Sequence, residues 1–123
     1  MPITLKEIIA HKRGEVDLAK EDCPLGELKK VVESCDPSRN FFGAVVNGHT
    51  RGSTSVIAEV KRKSPSAGLI RNDFDAADIA TAYEKAGAAA ISCLTDERFF
   101  GGKLSFIKEI RDVVALPVLR HGH

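Results

Sequence analysis

Glu59 and Lys61 stand two residues apart in the run Ile57-Ala58-Glu59-Val60-Lys61-Arg62-Lys63-Ser64-Pro65-Ser66-Ala67-Gly68. On a β-strand, residues i and i+2 share a face, so this carboxylate and this ammonium project together. Facing inward, such a pair is costly unless its members satisfy each other or their charge acts on a substrate. Spacing alone leaves both readings open: a structural ion pair at the strand mouth, or an acid–base pair aimed at a ligand. Ser64 to Gly68 is a turn-forming stretch rich in hydroxyls and backbone donors. It serves either as an approach to an anionic group or as a plain strand-to-helix connection. Lys63 is either a ligand contact or a solvated charge. In Thr95-Asp96-Glu97-Arg98-Phe99-Phe100-Gly101-Gly102, the two phenylalanines can cap a core or stack on an aromatic substrate. His11, His49, His121 and His123 are far apart or terminal, and Cys23, Cys35 and Cys93 contain no CxxC. No metal site is expected from them, and the cysteines read as free thiols of a reducing cytoplasm.

The elements that must position these residues change character along the chain. Thr4-Leu5-Lys6-Glu7 is a capping box, and Leu5, Ile8, Ile9, Lys12, Val16 and Ala19 follow at helical spacing. Pro24 suits the first turn of a second helix with Leu25, Leu28, Val31, Val32 and Cys35 on one face, broken at Asp36-Pro37-Ser38. A short third helix starts in Ser38 to Phe42 and ends before Asn47-Gly48. Asn47 to Thr54 reads as a linker. This divides the chain into an N-terminal helical extension with linker, residues 1–54, and a second part, residues 55–123.

From Ser55 the texture is strand, helix, strand, helix, strand. The run Ser55–Lys61 is β-rich. Asp75 can cap a helix whose stripe is Ile79, Ala80, Tyr83 and Ala86, with Gly87 ending it. Ala88–Leu94 is small and apolar on both faces, as in a parallel sheet covered by helices. Leu104, Ile107, Ile110 and Val114 mark a second crossover helix, and Leu116–Arg120 begins a third strand, with Pro117 where a missing donor is tolerated. Alternation of this kind predicts an α/β fold with about three parallel strands. A closed eight-stranded barrel needs roughly 200 residues or more. The sequence therefore predicts an unfinished fold, or one finished by another chain, with open sheet edges.

With 18 basic and 17 acidic residues the formal charge is +1, which argues against nucleic-acid or membrane-surface partners. No run of about 18 apolar residues is present to span a membrane, and Met1–Lys20 has no signal-peptide core.

Three segments, Ile57–Gly68, Leu94–Gly102 and Leu116–Arg120, resemble the first three strand–loop motifs of the indole-3-glycerol-phosphate synthase family. The pattern A-E-x-K-x-x-S-P-S is met by Ala58, Glu59, Lys61, Ser64, Pro65 and Ser66. The pattern L-T-[DE]-x-x-[FY]-F-x-G is met by Leu94 through Gly102. Pro24-Leu25 and Arg39-Asn40-Phe41 match the helical segment that precedes the barrel. The resemblance covers nearly the whole chain but only about the first half of the family's length. It implies a (β/α)8 TIM barrel, here incomplete, that closes the indole ring of 1-(2-carboxyphenylamino)-1-deoxyribulose 5-phosphate with loss of CO2 and water, as part of tryptophan biosynthesis, and without a cofactor. It implies that Lys61 holds the substrate carboxylate and takes part in proton transfer, and that Glu59 orients it. It further implies that Lys63 and Ser64 bind substrate from the first loop, and that Phe100 lines the pocket for the anthranilate ring.

The chain departs from the pattern at the third strand. The family continues into Lys-Asp-Phe, and that lysine is its principal general acid. This sequence reads His121, Gly122, His123, as a shifted reading frame would as much as native sequence, and the general-acid role is not moved onto His121. The expectation is that this chain alone is inactive, self-associates, or needs a complementing barrel half.

Overall fold

The structure, a computed structural model, describes residues 3–50 and 52–122. Met1, Pro2, Arg51 of the expected linker and His123 of the terminal tripeptide lie outside the described residues. The chain divides into two compact units, one running up to Ser38 and one from Arg39 to Gly122.

The first unit holds α1 (Leu5–Asp22) and α2 (Leu25–Glu33). Thr4 caps α1 by accepting from the Glu7 N–H at 3.3 Å, as the capping-box spacing predicts. Pro24 stands at the cap position of α2, one residue before its first turn. The apolar stripes are less covered than the spacing predicts. Ile8 is buried, but Leu5, Leu18, Leu25, Val31 and Val32 are exposed.

The second unit opens with α3 (Phe41–Thr50). Asn40 caps it, its side-chain oxygen accepting from the Gly43 N–H at 2.9 Å. The helix runs through Asn47-Gly48 rather than ending before them, so the first residues of the expected linker are helical. Once a helix is capped and propagating, each added residue gains a hydrogen bond, and one glycine costs only about 1 kcal/mol. Ser55 ties the lead into the sheet back to α3 by donating to the Val45 carbonyl at 2.5 Å. The compact units therefore meet at residues 38/39, while the change of sequence texture falls at 54/55.

The sheet contains β1 (Ile57–Val60), then β4 (Ala90–Leu94), then β5 (Val118–His121), all parallel, with β4 in the middle. Between β1 and β4 come a small antiparallel hairpin, β2 (Lys63–Ser64) and β3 (Gly68–Leu69), and then α4 (Ala76–Lys85). Between β4 and β5 come the one-turn α5 (Glu97–Phe100) and α6 (Ser105–Arg111). Neither the hairpin nor α5 is legible in the hydrophobic pattern. Asp75 caps α4 by accepting from the Asp78 N–H at 3.1 Å. Ala76 and Ala80 give α4 its buried stripe, and Ala86 is an exposed cap instead of part of it.

Val60, Ile91 and Cys93 pack against Ala76, Ala80, Ile110 and Val114, with Phe74, Tyr83 and Phe106 at the margins. The helices α4 and α6 thus cover one face of the sheet. All five residues of β4 are buried, in keeping with a run that is apolar but for Ser92. Two side chains lock the α6–β5 connection. The Arg39 guanidinium donates to the carbonyls of Val114 (2.7 Å), Leu116 (3.1 Å) and Arg111 (3.1 Å). The Glu84 carboxylate accepts from the Ala115 N–H at 2.9 Å.

Candidate active site

Alternation along the strands decides what faces away from the helices. Val60 and Cys93 lie in the helix-covered core, so Glu59 and Ser92, which are register partners, point to the opposite face. Lys61 follows β1 directly and turns to the same side, its Nζ 3.6 Å from Glu59 Oε1. The acid and the amine therefore project together at the C-terminal end of the strand. Their side chains are 43% and 35% exposed. Three strands do not close over them, so the desolvation that would make an inward pair costly is small. As an ion pair it contributes at most about 1 kcal/mol. The arrangement is held from behind: the Tyr83 hydroxyl donates to the Glu59 carbonyl at 2.9 Å, anchoring the end of β1 on α4.

Leu94 pairs with His121, and one step beyond the Val60–Cys93 pairing brings Lys61 level with Leu94. Lys61, Leu94 and His121 thus form one row across the C-terminal edge of the sheet. Two strand spacings, roughly 10 Å of backbone, separate Lys61 from His121.

The other expected site residues are distributed around this row. Ser64 is buried, and its hydroxyl accepts from the Ala67 N–H at 3.0 Å and lies 3.4 Å from Ser66 Oγ. Its visible work is to hold the hairpin turn, which Gly68 completes at φ +68°. Lys63 leads away from the Glu59–Lys61 pair. Its stem lies along Gly101, where an added Cβ would stand 3.0 Å from Lys63 Cγ. Phe99 is buried and takes the core role, while Phe100 beside it is half-buried. The loop carrying them is fixed by Asp96, which accepts from the Phe99 N–H at 2.8 Å, and by Gly101 in the left-handed region at φ +63°. Gly102 allows the chain to pass against the backbone of Leu94 and Thr95. Cys93 is under the helices, where burial, with Glu109 adding to it, pushes the thiol up to about 11. All three cysteines are free.

Sequence reasoning missed the supporting residues. Ser92 sits on the site face in register with Glu59, and a lone hydroxyl in an apolar strand was its only signal. Tyr83 and Glu84 each act through one long-range bond to a backbone atom, and Arg39 through three, for which local sequence carries no periodic mark.

Parallel strands in chain order with helices over one face are the design of successive units of a (β/α)-barrel, and the acid–amine pair stands at the C-terminal edge of the strands, the end at which such barrels carry their sites. Comparison with known proteins is more specific. The family model described as indole-3-glycerol phosphate synthase matches residues 5–122; the chain belongs to that family. The indole-3-glycerol phosphate synthase of Rippkaea orientalis (strain PCC 8801 / RF-1) is 47% identical over 115 residues, 94% of this chain and 39% of the relative. The chain thus spans about two-fifths of the length of the curated relative it matches. Among the described residues, no helix is long and apolar enough to cross a membrane.

Proposed function

We propose that this chain supplies the first-strand part of an indole-3-glycerol-phosphate synthase site, acting in the cytoplasm on 1-(2-carboxyphenylamino)-1-deoxyribulose 5-phosphate. The observation that carries this reading is the Glu59–Lys61 pair, 3.6 Å apart on the face opposite the helices. Ring closure needs an acid to polarise the ribulose carbonyl while an anthranilate ring carbon attacks. Loss of CO2 and then dehydration need a group that can take and return protons. In this reading Lys61 holds the substrate carboxylate and moves protons, and Glu59 keeps its ammonium aimed at the substrate. Lys63 and Ser64 flank the substrate from the hairpin side, and Phe100 offers its half-buried ring to the anthranilate. The chemistry calls for no cofactor.

His121 occupies the lysine's place in the row. An imidazole is shorter than a lysine side chain and cannot reach as far from the strand, so the acid's role is not carried over to it. Three strands also leave the reacting carbonyl in bulk water, without the enclosed environment that strengthens charge stabilisation. We therefore propose that the isolated chain does not turn over, and that a polypeptide supplying the remaining strands is needed.

The test is formation of indole-glycerol phosphate, followed by fluorescence. The purified chain is assayed alone and after mixing with the part of the Rippkaea orientalis relative beyond the matched region. No turnover alone, and turnover in the mixture that Lys61→Ala abolishes, is the expected result. Replacing His121→Lys should raise the mixed rate by about 10²-fold or more, the usual contribution of a positioned acid. Turnover by the chain alone that Lys61→Ala removes would refute the need for complementation. A mixture indifferent to Lys61→Ala would refute the role given to the pair.

A further inference from the structure

A second group of charges lies outside the Glu59–Lys61 pair. Arg62 and Lys63, at the base of the hairpin, and Lys103, beyond α5, line a cleft of about 460 Å³ together with Glu97, Leu69 and Gly101. Three cations and one carboxylate leave the cleft lining at net +2. None of the three cations is ion-paired among the described residues. They come from two separate loops, so their convergence is a product of the fold and not of one basic run.

The backbone there is already committed. The Gly101 N–H donates to the Glu97 carbonyl at 3.0 Å and the Gly102 N–H to the Asp96 carbonyl at 2.7 Å. Recognition would therefore fall to the side chains. The Lys63 stem, laid along Gly101 as far as Cε, is already partly ordered, so little rotamer freedom remains to be lost on binding. A guanidinium fork and two ammonium groups approaching from different loops suit a tetrahedral dianion better than a planar monoanion.

We propose that this cleft binds a dianionic phosphate, free or as a phosphate monoester, and that the bound anion ties the hairpin to the loop after β4. The site uses charges that the ring-closing reading leaves unemployed, apart from Lys63, and it stands whether or not Lys61 is catalytic.

The experiment is a titration of the ¹⁵N-labelled chain at constant ionic strength, with inorganic phosphate in one arm, ribose 5-phosphate in another and chloride as control. Saturable shifts of the Gly101, Gly102 and Lys103 amides are expected with phosphate. Arg62→Gln and Lys103→Gln should each weaken binding by roughly tenfold or more, as loss of one charge-assisted contact does. Lys85→Gln, which removes the same charge from the exposed end of α4, should weaken it less than about twofold, because Lys85 is not part of the cleft lining and an exposed charge outside it is screened by salt. Equal affinity in the two phosphate arms identifies the free anion as the ligand. Tighter ribose 5-phosphate identifies a monoester whose sugar also makes contact. Shifts that do not saturate, that chloride reproduces, or that Lys85→Gln weakens as much as Arg62→Gln would overturn the proposal. Shifts confined to amides around Lys61 and His121 would overturn the cleft while leaving the ring-closing reading intact.

Discussion

Replacing Arg39→Ala removes one guanidinium from three carbonyls at once. The bonds to Val114 and Leu116 are partly buried, and that to Arg111 is more exposed. A hydrogen bond from a charged donor contributes about 1.5–3 kcal/mol. Because one side chain makes all three, the terms do not add in full, and water can reach the Arg111 carbonyl. The expected loss is about 2–4 kcal/mol, a large fraction of the stability of a small domain. With a urea dependence of roughly 1–3 kcal/mol per molar, the unfolding midpoint should fall by about 1–3 M. The chain has no tryptophan and one tyrosine. That residue, Tyr83, is bonded to the Glu59 carbonyl, so its fluorescence reports on the sheet and can be compared with far-ultraviolet circular dichroism. Arg39→Lys should recover only part of the loss, since one ammonium cannot span three carbonyls. The Ile91 N–H, which donates to the Pro117 carbonyl, should exchange faster in both variants. An Arg39→Ala unfolding free energy within about 0.5 kcal/mol of the parent, with unchanged Ile91 exchange, would show that the connection holds without the clamp and refute the reasoning.

Other expectations follow from single contacts. Gly102→Ala places a Cβ against the Leu94 carbonyl oxygen and 2.8 Å from Thr95 Cα; backbone cannot yield as a side chain does, so urea unfolding should show a loss of about 3 kcal/mol. The Cys93 thiol is raised from 9.0 to about 11, so the stability it contributes is complete below pH 9. That stability should fall by about 2–3 kcal/mol as pH rises from 9 to 11. Cys93→Ala should lack this part of the alkaline slope in paired pH–stability curves, and an identical slope would count against it. Ile57 and Leu119, exposed on the face opposite the helices, should drive concentration-dependent association by light scattering. A monomer at all concentrations would remove that expectation.

The parallel sheet was legible because β4 is apolar on both faces and the helix that follows β1 and its hairpin carries a cap that can be read locally: Asp75 accepts from the Asp78 N–H, as Thr4 does from Glu7 at the start of α1. The shared face of Glu59 and Lys61 was legible for the same reason, as strand alternation needs no tertiary information. What was not legible depends on distance along the chain. Arg39 reaches carbonyls more than 70 residues away, and Lys63 finds its place only because Gly101 arrives there. The hairpin was hidden because its strands are two residues each, too short for a pattern. The stripes of α1 and α2 were legible as apolar faces, yet two helices form too small a unit to bury them. The site roles rest on motif resemblance, and the structure adds the row that aligns Lys61 with His121.

The number of strands has an arithmetic consequence for assembly. The described sheet brings β1 and β5 to its two margins, both running the same way. Copies of the chain that add edge to edge contribute strands in threes, and no multiple of three is eight. Self-addition can therefore lengthen or curl the sheet but cannot reproduce an eight-stave cylinder with its fixed stagger.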